Sequence, residues 1–331
     1  MKNLLTDIPG VSVGHADDLR LASGVTAILF DKPAVAAIDV RGGGPGTREE
    51  ALLKPESTVE TIDGIALSGG SALGLDSAGG VQAWLAEQGR GFRIRDAVIP
   101  IVPGAICFDL LNGGDKAWGR FPPYRDLGYA AAAAARKDFA LGSVGAGMGA
   151  TTATFKGGLG SASARTTSGA LVAAIVAVNA VGSVTVGDGP WFWAAPFEVD
   201  KEFGGRGLPA SFNQDMLAMR LKGGPAASPA ENTTIAVVVT DAILTKAQAK
   251  RLAMIAQTGM ARAIYPVHAP LDGDTVFAAA TCEKAIDPIY GLTELGAVAA
   301  NVLARAIARG IFMATALPFP GALPAWKDRF G

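Results

Sequence analysis

The sequence predicts an α+β fold in which strands and helices are stacked in separate layers. Three observations support this class. Half of the 331 residues are hydrophobic and 18% are charged, so the chain can bury a large core. Apolar runs occur as neighbouring strand pairs, and helical patterns follow these pairs instead of alternating strictly with single strands. The 43 glycines fall in clusters that indicate tight turns or close backbone approach.

The N-terminal half contains short apolar runs that end at glycine-rich loops. These runs predict strands over residues 8–16, 25–30, 35–40, 65–67 and 97–102. A helix is predicted over residues 72–88, because Leu75, Trp84 and Leu85 lie on or near one face and Gly89 suits a helix C-terminus. The alanine run 130–135 is helical by propensity.

The C-terminal half contains the most apolar strands. Residues 143–164 are rich in glycine and threonine and predict a hairpin, and further strands are predicted over 171–178, 235–239 and 275–280. Residues 187–231 are irregular and end in a Gly/Pro/Ala-rich linker. Thr245 is the predicted cap of a helix over 246–263, and Thr293 is the predicted cap of a last helix that ends at Gly310.

Composition argues against several classes of partner. The net charge of −1 and the pI near 6.2 give no basic surface for nucleic acid. Two cysteines and two histidines are too few for a disulfide framework or a zinc cluster, so we expect no metal and a reducing, cytoplasmic location. Residues 1–9 lack the apolar stretch of a signal peptide. The uncharged segment 166–187 has only a short apolar centre, which favours a buried strand over a membrane span.

The most informative motif is Asn232-Thr233-Thr234, which closes the linker and opens an apolar, β-branched run. If the peptide bond before Thr233 is cut, Thr233 gains a free α-amine beside its own hydroxyl. That amine has an intrinsic pKa of about 7.7–8 and can act as the base for the hydroxyl. One residue would then supply both nucleophile and base. A threonine-rich strand start is the alternative interpretation.

Two other motifs do not fit their usual context. The segment Gly145 to Ala150 matches G-x-G-x-x-A, but strand-forming residues follow it where a dinucleotide-binding site requires a helix. The segment Gly69 to Leu73 approaches the G-x-S-x-G motif of serine hydrolases, but Leu73 stands in place of the second glycine. Neither pattern therefore assigns a function.

Six blocks in order resemble the L-aminopeptidase/D-esterase (DmpA-like) family of self-processing N-terminal-nucleophile hydrolases. This family includes the nylon-oligomer hydrolases. The Asn-Thr junction of this chain is most similar to the junction in that branch. The blocks cover nearly the whole chain and comprise residues 6–16, 39–49, 67–76, 145–150, 232–234 and 272–278. The resemblance implies a four-layer αββα sandwich, like that of the ornithine acetyltransferases.

The resemblance also implies one autoproteolytic cut, between Asn232 and Thr233. Residues 1–331 would form a single domain of two retained pieces, an α chain of residues 1–232 and a β chain of residues 233–331. The family forms tetramers or larger assemblies, so a homo-oligomer of cleaved units is expected.

The resemblance assigns roles to individual side chains. Thr233 matches the nucleophile, Lys156 matches a lysine beside it, and Asn179 matches an oxyanion-binding asparagine. Asp272 and Asp274 match a polar pair near the new amino terminus. Substrate-pocket candidates are Phe108, Asp109, Ser71 and Gly147. Some members have a tyrosine where this chain has Phe108, so a tyrosine hydroxyl is not available here for the oxyanion.

The expected function is hydrolysis of amide or peptide bonds, and possibly esters, in small peptides or amino-acid oligomers, without a cofactor. Whether the mode is aminopeptidase-like or endo is open, as is the choice among α-peptides, β-peptides, D-amino esters and ω-amino acid oligomers. An acyltransferase of the ornithine-acetyltransferase type and a non-catalytic, metabolite-binding relative are the alternatives.

Overall fold

The computed structural model describes residues 1–223 and 232–331. The strands in these ranges are β1 (Val11–Asp18), β2 (Ser23–Val40), β3 (Thr47–Arg48), β4 (Thr61–Ser68), β5 (Phe92–Ile94), β6 (Ala97–Ile99), β7 (Gly104–Ile106), β8 (Gly158–Arg165), β9 (Leu171–Val178), β10 (Ile235–Ala242) and β11 (Thr275–Lys284). The α-helices are α1 (Ser77–Glu87), α2 (Tyr124–Ala133), α3 (Lys246–Ala261), α4 (Tyr290–Phe312) and α5 (Trp326–Phe330). Short 3-10 helices span Leu5–Asp7, Ala51–Leu53, Ser71–Asp76, Gly145–Gly147 and Ala195–Phe197.

Strand β2 is 18 residues long and belongs to two layers of sheet. Residues 23–30 pair with β1, residues 25–29 and 34–35 pair with β4, and residues 35–40 pair with β11. The strand order is β3-β7-β4-β2-β11-β10-β9-β8, with β1 paired to β2 outside this path. The first half of β2 therefore forms one sheet with β1, β4, β7 and β3, and its second half forms the other with β11, β10, β9 and β8.

The side chains of β9 show how the layers are packed. Leu171, Ala173, Ile175 and Ala177 point into a core between the two sheets, which they share with residues of β1, β2 and β4. The alternate residues of β9 point into a second core, shared with α3 and α4. Helices α1 and α2 cover the opposite sheet. This arrangement is the predicted four-layer αββα sandwich, and it explains why β9 is apolar at every position.

Several predicted elements are confirmed. The strand predicted over 171–178 coincides with β9. Helix α3 begins after Thr245, whose hydroxyl accepts the Gln248 N–H at 3.3 Å while the Gln248 side chain accepts the Thr245 N–H at 2.8 Å. This reciprocal pair is a capping box, which satisfies two otherwise unpaired groups at the start of the helix.

The predicted bounds of the last helix were wrong. Helix α4 begins at Tyr290, so Thr293 lies inside it, and its hydroxyl donates to the Ile289 carbonyl at 2.7 Å. Gly310 also lies inside α4. It is a glycine because β8 passes close by: a Cβ at position 310 would be 3.0 Å from the Gly158 carbonyl oxygen. This glycine therefore reflects helix–sheet packing and does not end the helix. By length and apolarity α4 could cross a membrane, but 72% of the apolar stretch is buried inside the fold, as in a core helix.

Two further elements differ from the prediction. The strand expected over 97–102 is limited to β6, which forms a separate two-stranded hairpin with β5. The expected hairpin over 143–164 does not form as such, because β8 pairs with β9. The residues before β8 form a 3-10 turn and isolated bridges, one of which joins Thr151 to Lys156.

Candidate active site

The ends of four neighbouring strands bring the predicted site residues to one edge of the second sheet. β9 runs antiparallel to β8 and β10, whereas β10 and β11 are parallel. The starts of β8, β10 and β11 therefore lie beside the end of β9. Lys156 precedes β8, Asn179 follows β9, and Thr233 precedes β10. The Thr233 N–H donates to the Asn179 carbonyl oxygen at 2.8 Å, which extends the register by one pair beyond the strands.

The Thr233 side chain rests on the loop that leads into β11. Thr233 is buried, with 3% of its surface exposed. A Cβ placed on Gly273 would lie 2.5 Å from Thr233 Oγ1 and 3.0 Å from its methyl group. The hydroxyl therefore occupies space that exists because residue 273 has no side chain. The neighbouring Asn232 is also buried, so the predicted scissile bond lies inside the fold.

The two predicted aspartates flank Gly273 and have different partners. Asp274 accepts the Thr234 N–H at 3.0 Å and the His268 N–H at 3.0 Å, and it contacts His268 Nδ1 at 2.9 Å. Asp272 accepts the Gly273 N–H through Oδ1, whereas its buried Oδ2 has no hydrogen-bond partner among the described residues. Burial, reinforced by the neighbouring Asp274 carboxylate, raises the pKa of Asp272. The Asp272 carboxyl group is therefore driven toward its neutral form, and a nearby cation would favour its ionised form.

The Asn179 amide is fully buried, and hydrogen bonds hold both of its ends. Its Oδ1 accepts the Thr151 N–H at 2.9 Å and a hydrogen bond from Lys222 Nζ at 2.9 Å. Its Nδ2 donates to the Phe108 carbonyl oxygen at 3.0 Å. These partners fix which end of the amide is the donor end, since a flip would set two carbonyl oxygens against each other.

Lys156 is a buried lysine whose ammonium form is disfavoured. Its Nζ donates to the carbonyl oxygens of Gly147 at 3.0 Å and Gly157 at 2.7 Å. Burial lowers the pKa of Lys156 to about 7, with a further lowering from nearby Lys222 and a partial offset from Asp109. A neutral amine has two N–H groups and one lone pair. The two carbonyls match the N–H groups, so the lone pair is left as a proton acceptor.

A cavity of about 290 Å³ adjoins this edge. Phe108, Asp109 and Lys156 line it, together with Lys222. The other lining residues are Leu111, Asn112, Gly113, Gly149, Thr151, Leu317, Pro320, Gly321, Ala322 and Leu323. Thr233 is not among the lining residues of the described ranges and is linked to the cavity through Asn179.

Of the four residues predicted to form the substrate pocket, two line the cavity and two do not. Phe108 and Asp109 line the cavity. Gly147 instead holds Lys156, and the Ser71 N–H donates to the Cys107 carbonyl oxygen at 3.0 Å, beside Phe108. Asp109 accepts hydrogen bonds from Ser23 Oγ at 2.6 Å and from the Gly70 N–H at 2.7 Å, and burial raises its pKa.

Sequence reasoning missed Lys222, His268 and Gly273. Lys222 stands at the edge of a glycine-rich linker, where a lysine usually indicates a solvated loop. His268 precedes Asp274 by six residues, and this spacing has no recognised meaning. Gly273 lies in the block 272–278, where the two flanking aspartates carry the chemical signal. Lys222 is revealed by its hydrogen bond to Asn179, His268 by its contacts with Asp274, and Gly273 by its close approach to Thr233.

Known protein sequences match nearly the whole chain. The model of peptidase family S58 matches residues 3–322. An uncharacterized aminopeptidase of Mycobacterium tuberculosis is 42% identical over 99% of this chain and 98% of its own length. A 6-aminohexanoate-oligomer endohydrolase of Kocuria sp. is 30% identical over 92% of this chain and 85% of its own.

Solved structures share the fold. The L-aminopeptidase D-Ala-esterase/amidase of Ochrobactrum anthropi, described as a variant of the Ntn-hydrolase fold, superposes with a TM-score of 0.71 at 20% identity, over 98% of this chain and 90% of that one. A β-aminopeptidase of Burkholderia sp. gives a TM-score of 0.69 at 22% identity, over 98% and 90% of the two chains. The fold, the family match and the hydrolase relatives agree that this chain hydrolyses peptide or amide bonds. The chain belongs to peptidase family S58.

Proposed function

We propose that this hydrolase cuts its own chain once, between Asn232 and Thr233, and then uses Thr233 as an N-terminal nucleophile. One observation carries the proposal. The strand register holds Thr233 against the Asn179 carbonyl, with its hydroxyl above Gly273, at the edge of the sheet where Lys156 also lies.

In the first stage, Thr233 Oγ bonds to the carbonyl carbon of Asn232 while its proton passes to a base. Lys156 is the base that we assign, because burial lowers its pKa to about 7 and its two N–H groups are already occupied. The carbon–nitrogen bond then breaks as the nitrogen gains a proton, which gives an ester and a free α-amine. Water opens the ester, leaving a carboxylate on Asn232.

In the second stage, Thr233 Oγ attacks a substrate carbonyl and the new α-amine shares the role of base. The Asn179 carbonyl oxygen, which accepts the Thr233 N–H in the intact chain, is placed to hold that amine. Its amide Nδ2 is the assigned oxyanion donor, and such donors lower a barrier by about 3–4 kcal/mol. Asp272, whose buried Oδ2 has no hydrogen-bond partner within residues 1–223 and 232–331, and Asp274 would stabilise the α-ammonium form of Thr233.

The proposed substrates are small peptides and amino-acid amides, with esters as a second class. The relatives' names support both an aminopeptidase and an oligomer-endohydrolase mode, and the higher identity lies with those called aminopeptidases. We further propose a homo-oligomer of cleaved units in the cytoplasm. Two free cysteines, Cys107 and Cys282, support a reducing location.

The test is intact mass and N-terminal sequencing of the purified protein before and after long incubation. A fragment that begins Thr233-Thr234-Ile235 is expected. The Thr233→Ala variant should stay as one chain, whereas Thr233→Ser, which keeps a hydroxyl, should still cut. A panel of amides and esters then measures hydrolysis. Wild-type protein that hydrolyses amides as a single uncut chain would refute self-processing and leave the hydrolase assignment standing.

A further inference from the structure

The C-terminal segment forms one side of the cavity. Leu317, Pro320, Gly321, Ala322 and Leu323 line it, as do Phe108 and Leu111. These residues are mostly apolar, whereas Lys156, Lys222 and Asp109 supply polar groups to the same cavity. The cavity therefore combines an apolar wall with a polar part adjoining the proposed catalytic edge. We call residues 317–325 the C-terminal wall.

Two attachments hold the wall in place. The Lys156 N–H donates to the Pro324 carbonyl oxygen at 2.9 Å, so the wall pairs directly with the backbone of a site residue. Trp326, only 1% exposed, follows the wall and packs into an aromatic cluster. Its ring centroid lies 5.4 Å from Phe192 in a stacked arrangement, 5.3 Å from Phe312 and 5.6 Å from Phe330. Such aromatic pairs add to the stability that burial alone provides.

We propose that the C-terminal wall, fastened by Trp326, sets the length of the apolar group that a substrate places beside its scissile amide. The inference rests on the proposed function of the same site. A cavity of about 290 Å³ is at the small end for ligand pockets and suits one short aliphatic or small aromatic group.

The test measures binding of straight-chain amides, from propanamide to octanamide, by NMR titration of the Thr233→Ala protein, which stays intact and unreactive. Each added methylene should tighten binding about fourfold until the chain meets the wall, after which affinity falls. We call the chain length at which affinity stops rising the break. In the Thr233→Ala background, Leu323→Ala should move the break to amides longer by one or two methylenes, and Leu323→Trp should move it to shorter amides. Trp326→Ala should act like Leu323→Ala.

The matched control is Trp84→Ala. Trp84 is partly buried on α1, in the opposite helical layer, and its loss should leave the break unchanged. An unchanged break in both Leu323 variants, or no dependence on chain length, would overturn the inference. Failure of the proposed function shows separately, as wild-type protein that remains uncut, because the binding series uses uncut protein throughout.

Discussion

A methyl group added at Gly273 should displace the hydroxyl of the proposed nucleophile, Thr233, while Thr233 itself is left unchanged. In Gly273→Ala the new Cβ would lie 2.5 Å from Thr233 Oγ1 and 2.9 Å from the Gly44 carbonyl oxygen. Since ordinary contacts begin at 3.4 Å, the hydroxyl has to retreat by about 0.9 Å. A displacement of about 1 Å costs roughly 100-fold in rate, and overpacking a buried site costs about 1–3 kcal/mol of stability.

The assay is the rate at which the fragment beginning at Thr233 appears, followed by intact mass, with thermal unfolding measured on the same samples. Gly44→Ala is the matched control, because its Cβ would meet nothing closer than 3.6 Å in the same loop cluster. We expect Gly273→Ala to cut about 100-fold more slowly and Gly44→Ala to cut at nearly the wild-type rate. Equal rates for Gly273→Ala and wild type would refute the placement of the hydroxyl above residue 273.

Three further predictions concern the groups around Thr233. The rate of self-cleavage should rise with pH through about 7 as Lys156 becomes neutral, and Lys156→Gln should lower that rate about 10²–10⁴-fold and remove this limb of the pH–rate profile. Asn179→Leu should lower kcat about 10²–10³-fold and also lower the melting temperature, because the Thr151 N–H and the Phe108 carbonyl lose their partner. Asp272 has a raised pKa in the folded chain, so above its unfolded value of 3.8 the folded state binds more protons and stability falls as pH rises. Urea unfolding of Thr233→Ala should therefore show a decline in stability from pH 4 upward that Asp272→Asn reduces; an equal decline in both proteins would contradict this.

The parts of the fold that follow from local pattern were predictable from sequence. Strand β9 is uncharged and apolar at every position because both of its faces are buried, and α3 carries a complete capping box. Asp31-Lys32-Pro33, all exposed, mark the point where β2 changes partners, and the sequence predicted two strands on either side of them. That the two runs form one continuous strand of 18 residues was not predictable, because this depends on pairing with strands that are distant in the sequence. The end of α4 was misjudged for a related reason. Gly310 serves a contact with β8, which is distant in the sequence.

The site was predictable where one residue carries its own chemical signal. Thr233 follows a linker and opens an apolar strand, and Asn179 is a polar residue at the end of one. Lys222 gave no such signal, because its place beside Asn179 depends on a hydrogen bond across 43 residues of sequence. The cavity wall was missed for the same reason. Leu317 and residues 320–323 line a cavity together with Lys156 only after the strands are assembled.

The position of the site at a sheet edge follows from the burial of the sheet. β9 and β10 have apolar cores on both faces, so polar groups are tolerated only where the strands end. At the strand ends, burial disfavours the charged form of both groups. It lowers the pKa of Lys156 and raises the pKa of Asp272, so both groups are driven toward their neutral forms. A neutral lysine can take the proton of a hydroxyl, and a neutral carboxyl can give a proton to a newly released amine. The same desolvation that makes the groups costly to bury thus fits each for a different step of the proposed reaction.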